Sequence, residues 1–210
     1  MAFPVPLTSA LSGASVNQLA YWRKTTASSE PLLVPSAVKG GRFLYSWADV
    51  VALRTIVYLR QEKSLPRIRK AVSALVRLEE SDWAHLARYR LIGTPTTIVV
   101  QTPQGRLMDL EKEPGTMLEH VLMRDVLEPF KTVDGRSVLG LANPKPNLSV
   151  HPGILGGYPV IAGTRVPYDI VAGLAEDGYN GADIVELYPS VAAAAVADAA
   201  AFAGVVAAAA

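Results

Sequence analysis

The sequence predicts a mainly α-helical protein with small β elements, on three observations. Short helices are announced by capping residues and by apolar positions three and four apart. Two β-branched or glycine-turned stretches have hairpin spacing. Of the 210 residues 50% are hydrophobic and only 7% aromatic. That is length and apolar content enough for a core and for one or two domains.

The first elements are read in chain order. Residues 6–13 form a short helix closed by Gly13. Ser15 caps a second helix, Val16 to about Lys24, with Val16, Leu19 and Ala20 on one face. Two short helices across a tight glycine turn have a helix-turn-helix outline. Thr25 to Lys39 is a polar loop. Gly40 and Gly41 then separate Val38-Lys39 from Arg42-Phe43-Leu44-Tyr45 as a hairpin with a cation on each side. Such a hairpin after a helix-turn-helix is a wing. Ser46 and Asp49 form a capping box for a third helix, whose buried face is Val50, Leu53, Ile56 and Val57, with Arg54 and Arg60 outward. Ser64-Leu65-Pro66 restarts the chain as a fourth helix with a basic flank of Arg67, Arg69 and Lys70 and apolar positions Ile68, Val72, Leu75 and Leu78.

The middle of the chain predicts a β-hairpin and a helix. Thr96 to Val100 is strand-like, Pro103 to Gly105 is a turn, and residues 106–110 return. A helix follows over Thr116 to Pro129. Val133 to Leu148, rich in Gly, Pro and Asn, is the best linker candidate. The C-terminal block has a short strand at Tyr158 to Ile161, a turn at Gly163-Thr164-Arg165, a helix from Tyr168 to Glu176, and a second helix capped by Asn180 and stopped by Pro189. This is again a helix-turn-helix outline. The expected segments are therefore 1–78, 79–148 and 149–210. The near-continuous alanine of 192–210 carries no chemistry, and no function is read from it.

Charge separates the two ends. Residues 1–90 hold 13 Lys/Arg against 6 Asp/Glu, a net of +7, and the remainder holds 7 against 13, a net of −6. A basic end points to a polyanion, with a merely solvated basic surface as the alternative. The absence of cysteine excludes disulfides, thiolate metal sites and thiol catalysis, and fits a cytoplasmic protein. Neither a membrane span nor a signal peptide is expected. His85, His120 and His151 lack metal-ligand spacing, the glycines at 153–157 do not fit a dinucleotide fingerprint, and acid pairs such as Glu79-Glu80 and Asp109-Glu111 are solvated surface. No cofactor and no enzymatic activity are expected.

Two stretches carry a family resemblance. LSGASVNQLAYW (11–22), RFLYSWADVVALR (42–54) and SLPRIR (64–69) together resemble the MerR-like winged helix-turn-helix domain. The loop before the wing is longer than in that family, and its metal-sensing cysteines are absent. GYPVIAGTRVP (157–167), with Gly178 and Tyr188-Pro189, resembles the domain of unknown function 433, and Val196, Asp198, Ala199 and Phe202 keep the spacing of its last helix. The order of the two resembles VapB-type antitoxins of mycobacterial kind. What this resemblance implies is an antitoxin of a type II toxin-antitoxin system, binding double-stranded operator DNA as a homodimer and neutralising a PIN-like ribonuclease toxin. The alternative is a stand-alone MerR-like regulator whose C-terminal module senses a ligand or dimerises. Dimerisation would fall to the middle hairpin or to the Thr116 to Pro129 helix.

The candidate contacts follow from chemistry. In a helix-turn-helix the second helix enters the major groove. Asn17 and Gln18 suit adenine, and Arg23 suits guanine or phosphate. Ser15, Tyr21, Lys24, Lys39, Gly40, Arg42 and Tyr45 complete the DNA-binding set, the wing residues suiting phosphates or the minor groove. Trp22 is read as a core aromatic. In the second module the candidates are Arg165 and Tyr168. Arg165 either faces a partner or pairs internally with Asp169 or Glu186.

Overall fold

The computed structural model describes residues 2–25, 30–70, 90–93, 98–101, 107–109 and 126–210. Strand β1 (Phe3–Pro4) leads into helix α1 (Val5–Ser12), and α2 (Val16–Trp22) follows. Gly13 ends α1 in the left-handed region at φ 78°. Its N–H donates to the Ser9 carbonyl at 2.9 Å. Ser15 caps α2 through a complete capping box. Its hydroxyl accepts from the Gln18 N–H at 3.1 Å, and its own N–H donates to the Gln18 side chain at 2.8 Å. Leu19 and Trp22 are buried, as expected of Trp22.

The expected hairpin is present as strands β2 (Ala37–Lys39) and β3 (Arg42–Tyr45), with Lys39 opposite Arg42. Gly40 at φ 56° and Gly41 at φ 74° both lie in the left-handed region. A two-residue hairpin turn of this hand demands positive φ at both positions. Strand β1 adds to the other edge of β3, giving the order β1-β3-β2. The loop before the hairpin is pinned at two places. The Leu32 N–H donates to the Trp22 carbonyl at 2.7 Å, and Leu32 and Leu33 are buried. Asp49 of the expected capping box on helix α3 (Trp47–Leu59) also accepts from Ser36, through both its N–H and its hydroxyl. Residues 65–70 form helix α4, with Ile68 buried. The remainder of its expected apolar face (Val72, Leu75, Leu78) lies outside the described residues, as does most of the expected Thr116 to Pro129 helix.

In the middle, β4 (Arg90–Gly93), β5 (Ile98–Gln101) and β6 (Leu107–Asp109) form an antiparallel sheet. The β5–β6 pair is the expected hairpin, and β4 is an additional strand. The expected linker is not one. Within and beside it, β7 (Phe130–Lys131) pairs with β8 (Ser137–Val138), and Val138, Leu141 and Leu148 are all buried. Its glycines and prolines serve tight turns inside a packed segment. Gly135, at φ 81°, is one such turn position.

The C-terminal elements match expectation closely. Strand β9 (Leu148–Ser149) pairs with β10 (Val160–Ile161). Helices α5 (Tyr168–Glu176) and α6 (Gly181–Leu187) follow, α6 capped by Asn180 and Asp183. Helix α7 (Ala194–Ala208) buries Ala195, Ala199 and Phe202, spaced four and three apart, against α5. Asp198 ties α7 to the strand before β10 by accepting from the Asn147 N–H and amide, each at 2.9 Å.

The two ends of the chain share a core. Phe3 lies 6.5 Å from the Trp47 ring and 6.0 Å from that of Tyr158. The buried side chains from Phe3 to Phe202 make one continuous cluster. At the seam Gly157 (φ 84°) lies against the face of Trp47, and a Cβ there would come within 2.7 Å of the ring.

Arg54 reverses its expected outward placement. It is fully buried. Its Nη1 donates to the Leu11 carbonyl at 2.6 Å, and its Nη2 to Glu128 at 2.9 Å and Leu139 at 2.7 Å. Its Nε donates to the Val126 carbonyl. The Phe130 ring centroid is 4.9 Å away. The spacing in α3 explains the placement: position 54 is four after Val50 and three before Val57, hence on the buried face, and only its polarity argued otherwise. Burial pushes the guanidinium pKa down to about 10, which leaves it charged at neutral pH.

Two stability outcomes follow. Arg54→Ala leaves these buried carbonyls without their donor, and its cost should be about 3–5 kcal/mol, read as a lower urea midpoint. Gly157→Ala combines a left-handed backbone with a clash against Trp47. It should cost about 2–4 kcal/mol. Gly163→Ala, with open space around its Cβ, should cost clearly less.

Candidate nucleic-acid interface

The periodicity of α2 sorts its candidate residues. Leu19 and Trp22 face the core, so Asn17 and Tyr21, four apart, share the opposite face, and Lys24 follows just beyond the Arg23 C-cap. All three are exposed, Tyr21 at 51%. Gln18 is half-buried on the flank, and its side-chain oxygen is occupied by the Ser15 N–H. Ser15 is thereby a capping residue, its hydroxyl engaged by the Gln18 backbone. These two bonds fix the first turn of α2 and leave Asn17 as the exposed amide at its start.

The β2–β3 hairpin is solvent-exposed along β2 and its turn. Lys39, Gly40, Gly41 and Arg42 are all exposed, and so is Val38 at 61%. What joins the wing to α2 is Arg23, whose guanidinium sits 3.9 Å from the centroid of the Phe43 ring. Arg23 is half-buried in this stack, so its placement differs from that of a free arm reaching for a base. Tyr45 is a correction. It was expected on the DNA face but is 1% exposed, because the β1–β3 pairing places it opposite Phe3 on the inward side of the sheet. Its hydroxyl faces Arg23 without an aligned hydrogen bond, and burial raises its pKa, so the phenol stays neutral.

Helix α4 adds residues that the sequence marked only as a basic flank. The Arg69 guanidinium lies 5.5 Å from the Tyr21 ring centroid and donates to the Glu30 carbonyl at 2.8 Å. Arg69 thus holds Tyr21 and the loop beside α2 in place, while Arg67 and Lys70 are exposed. Phe43 and Arg69 belong to the site although sequence reasoning missed them. The signal that could have found them is an aromatic or cation with no place in a helix's buried stripe. Lys24 just past α2, Lys39 and Arg42 at the hairpin turn, and Arg67 and Lys70 on α4 are all exposed. Asn17 and Tyr21 add exposed hydrogen-bonding groups on α2.

The C-terminal candidates separate. Arg165 is exposed, and Asp169, one of its two candidate internal partners, accepts from the Tyr158 hydroxyl at 2.9 Å. Tyr168 is a second correction. It is 5% exposed, edge-on to Phe202 at 4.7 Å and stacked on Tyr158 at 6.0 Å. It therefore belongs to the core, because it begins α5 on the face that packs against α7. Burial pushes its phenol pKa up to about 12. The Tyr158 phenol is raised as well, chiefly by burial and also by Asp169, so both stay neutral. The outward surface of α5 and α6 is acidic, with Asp169, Glu176, Asp177 and Glu186 exposed near the exposed apolar side chains Ile170, Tyr179 and Leu187.

Among the described residues, no three His, Asp or Glu side chains gather as a metal site, and no helix is long and apolar enough to cross a membrane. His151, exposed, accepts from the Gly153 N–H at 3.1 Å. The other two histidines lie outside the described residues.

No curated protein and no solved structure matches the chain. Residues 148–203 match the model of a family described as a protein of unknown function (DUF433), so the C-terminal segment is a domain of that kind, as its GYPVIAGTRVP signature led us to expect.

Proposed function

We propose that the chain is a DNA-binding antitoxin of a type II toxin-antitoxin system, with a winged helix-turn-helix reader at its N-terminus. The observation that carries the DNA half is the pair of exposed residues Asn17 and Tyr21 on one face of α2, with Lys24 just past its end and an exposed hairpin with Lys39 and Arg42 at its turn. A helix of this kind fits the major groove, and a glycine turn between two cations suits phosphates. Asn17 then reads base edges, and Lys24, Lys39 and Arg42 set position and affinity through counterion release. Arg23 and Phe43 fix the angle between helix and wing. The MerR-like pattern of the N-terminal segment supports the same reading.

The toxin half rests on the acidic, partly apolar surface of α5 and α6 and on the resemblance to VapB-type antitoxins. A net charge of −6 after residue 90 favours a cationic protein partner such as a PIN-like ribonuclease. The exposed Ile170, Tyr179 and Leu187 provide apolar anchors within that charge. In this reading the protein is a cytoplasmic, non-enzymatic homodimer that represses its own operon, each copy reading one half-site.

Gel shifts on the chain's own upstream DNA test the first half. Asn17→Ala should weaken binding to that duplex by about 1–3 kcal/mol and leave binding to random duplex nearly unchanged. Lys39→Ala should weaken both equally and lower the salt slope by about 0.9. Tyr45→Phe should leave both unchanged. Co-purification with the product of the adjacent gene tests the second half, and Asp177→Lys with Glu186→Lys should weaken that complex. DNA binding without any such complex would leave the stand-alone regulator.

A further inference from the structure

A second hairpin lies beside α2, on the flank away from the wing. Arg23, which packs on the wing's Phe43, and Gln18 lie on different flanks of the helix, because their separation in sequence falls well between one turn and two. Gln18 faces an open cleft of about 440 Å³, with Arg60 of α3 beside it and Asp134 and Arg136 of the β7–β8 turn across it. The turn is rigidly attached. Arg136 Nη2 donates to the Gly13 carbonyl, just before α2, at 3.2 Å. Val138 is buried against Gly13. Within the turn, the Thr132 N–H donates to the Arg136 carbonyl and the Gly135 N–H to the Thr132 carbonyl, each at 2.9 Å.

The outward side of this hairpin is exposed and net positive. Lys131 and Val133 are exposed, the latter at 65%. Arg136 also pairs with Asp134, Nε to Oδ2 at 2.7 Å, with side-chain exposures of 44% and 61%. The Arg136 hydrogen bond holds the Asp134 carboxyl pKa down to about 2, so this anion is charged throughout the neutral range. Arg136, with its partner Asp134, therefore stands beside the start of the helix that carries Asn17, and Lys131 is exposed on the same hairpin.

We propose that the β7–β8 hairpin is a second wing, contacting backbone phosphates of the same DNA duplex that α2 enters, with Lys131 and Arg136 attracting the phosphates and Asp134 opposing them. This rests on the DNA-binding reading above and extends it to a segment far from the MerR-like pattern. Phosphate contact needs positive charge within reach of the backbone and carries no sequence information, and this hairpin presents charge without an aligned base-reading amide. It also places a DNA contact on the segment that leads directly into the C-terminal domain at Leu148.

The test uses the full chain and any duplex the wild type binds. Lys131→Gln should weaken binding about fivefold near 0.15 M salt and reduce the salt slope by about 0.9. Asp134→Asn should tighten binding by a similar factor, since it removes the opposing charge and frees Arg136. Both positions are exposed, and unchanged thermal midpoints will show that the fold is kept. The chain has no cysteine, so Val133→Cys carries a unique photo-crosslinker. It should yield a DNA adduct where Glu186→Cys yields none. If the wild type binds but both charge variants keep its affinity and slope and Val133→Cys gives no adduct, the second wing is overturned while the α2 reading stands. If the wild type binds no duplex, both fall.

Discussion

The guanidinium of Arg54 is the constraint on which the arrangement depends. It sits inside the molecule with donors to carbonyls from α1, from residues 126–128 and from residue 139. A charged group in such a place is tolerated only when its donors are satisfied, so each of those backbone segments must come to it. The C-terminal end of α1 is thereby fixed relative to α3, and the β7–β8 region is fixed relative to both. Because α2 leaves directly from α1 across Gly13, its presentation to solvent is set by the same contacts.

Aromatic side chains carry that order to the other end of the chain. Phe3 touches both Trp47 and Tyr158, Tyr158 stacks on Tyr168, and Tyr168 meets Phe202. The packing runs from the first strand to the last helix without a gap, and Gly157 allows the approach that closes it. The basic N-terminal elements and the acidic outer surface of α5 and α6 thus share one core.

Much of the local structure was legible. Caps announced α2, α3 and α6 because Ser15, Ser46 and Asn180 each precede a residue able to return the bond. Gly40-Gly41 fixed the wing turn, since only positive φ at both positions closes it. The exposed members of the candidate site, Asn17, Tyr21, Lys24, Lys39 and Arg42, were all named from spacing and chemistry. Tyr45 and Tyr168 were not placed correctly, because an aromatic with a polar tip fits a surface and a core equally well until its neighbours are known. The segment 133–148 read as a linker because glycine and proline signal turns, and turns occur in packed segments as well as in loose ones.

The sequence by itself determined the capped starts of α2, α3 and α6, the Gly40-Gly41 turn, how charge divides along the chain, and which family its last quarter matches. Those properties are local, set by side chains bonding to backbone within a few residues or by a motif read in order. Only the tertiary structure decided that Arg54 is a buried anchor, that Arg23 and Arg69 brace the candidate interface by stacking on Phe43 and Tyr21, and that the β7–β8 hairpin stands beside α2. Each of these depends on a partner dozens of residues away, or on which side of an element is covered. The periodicity of a single element carries neither.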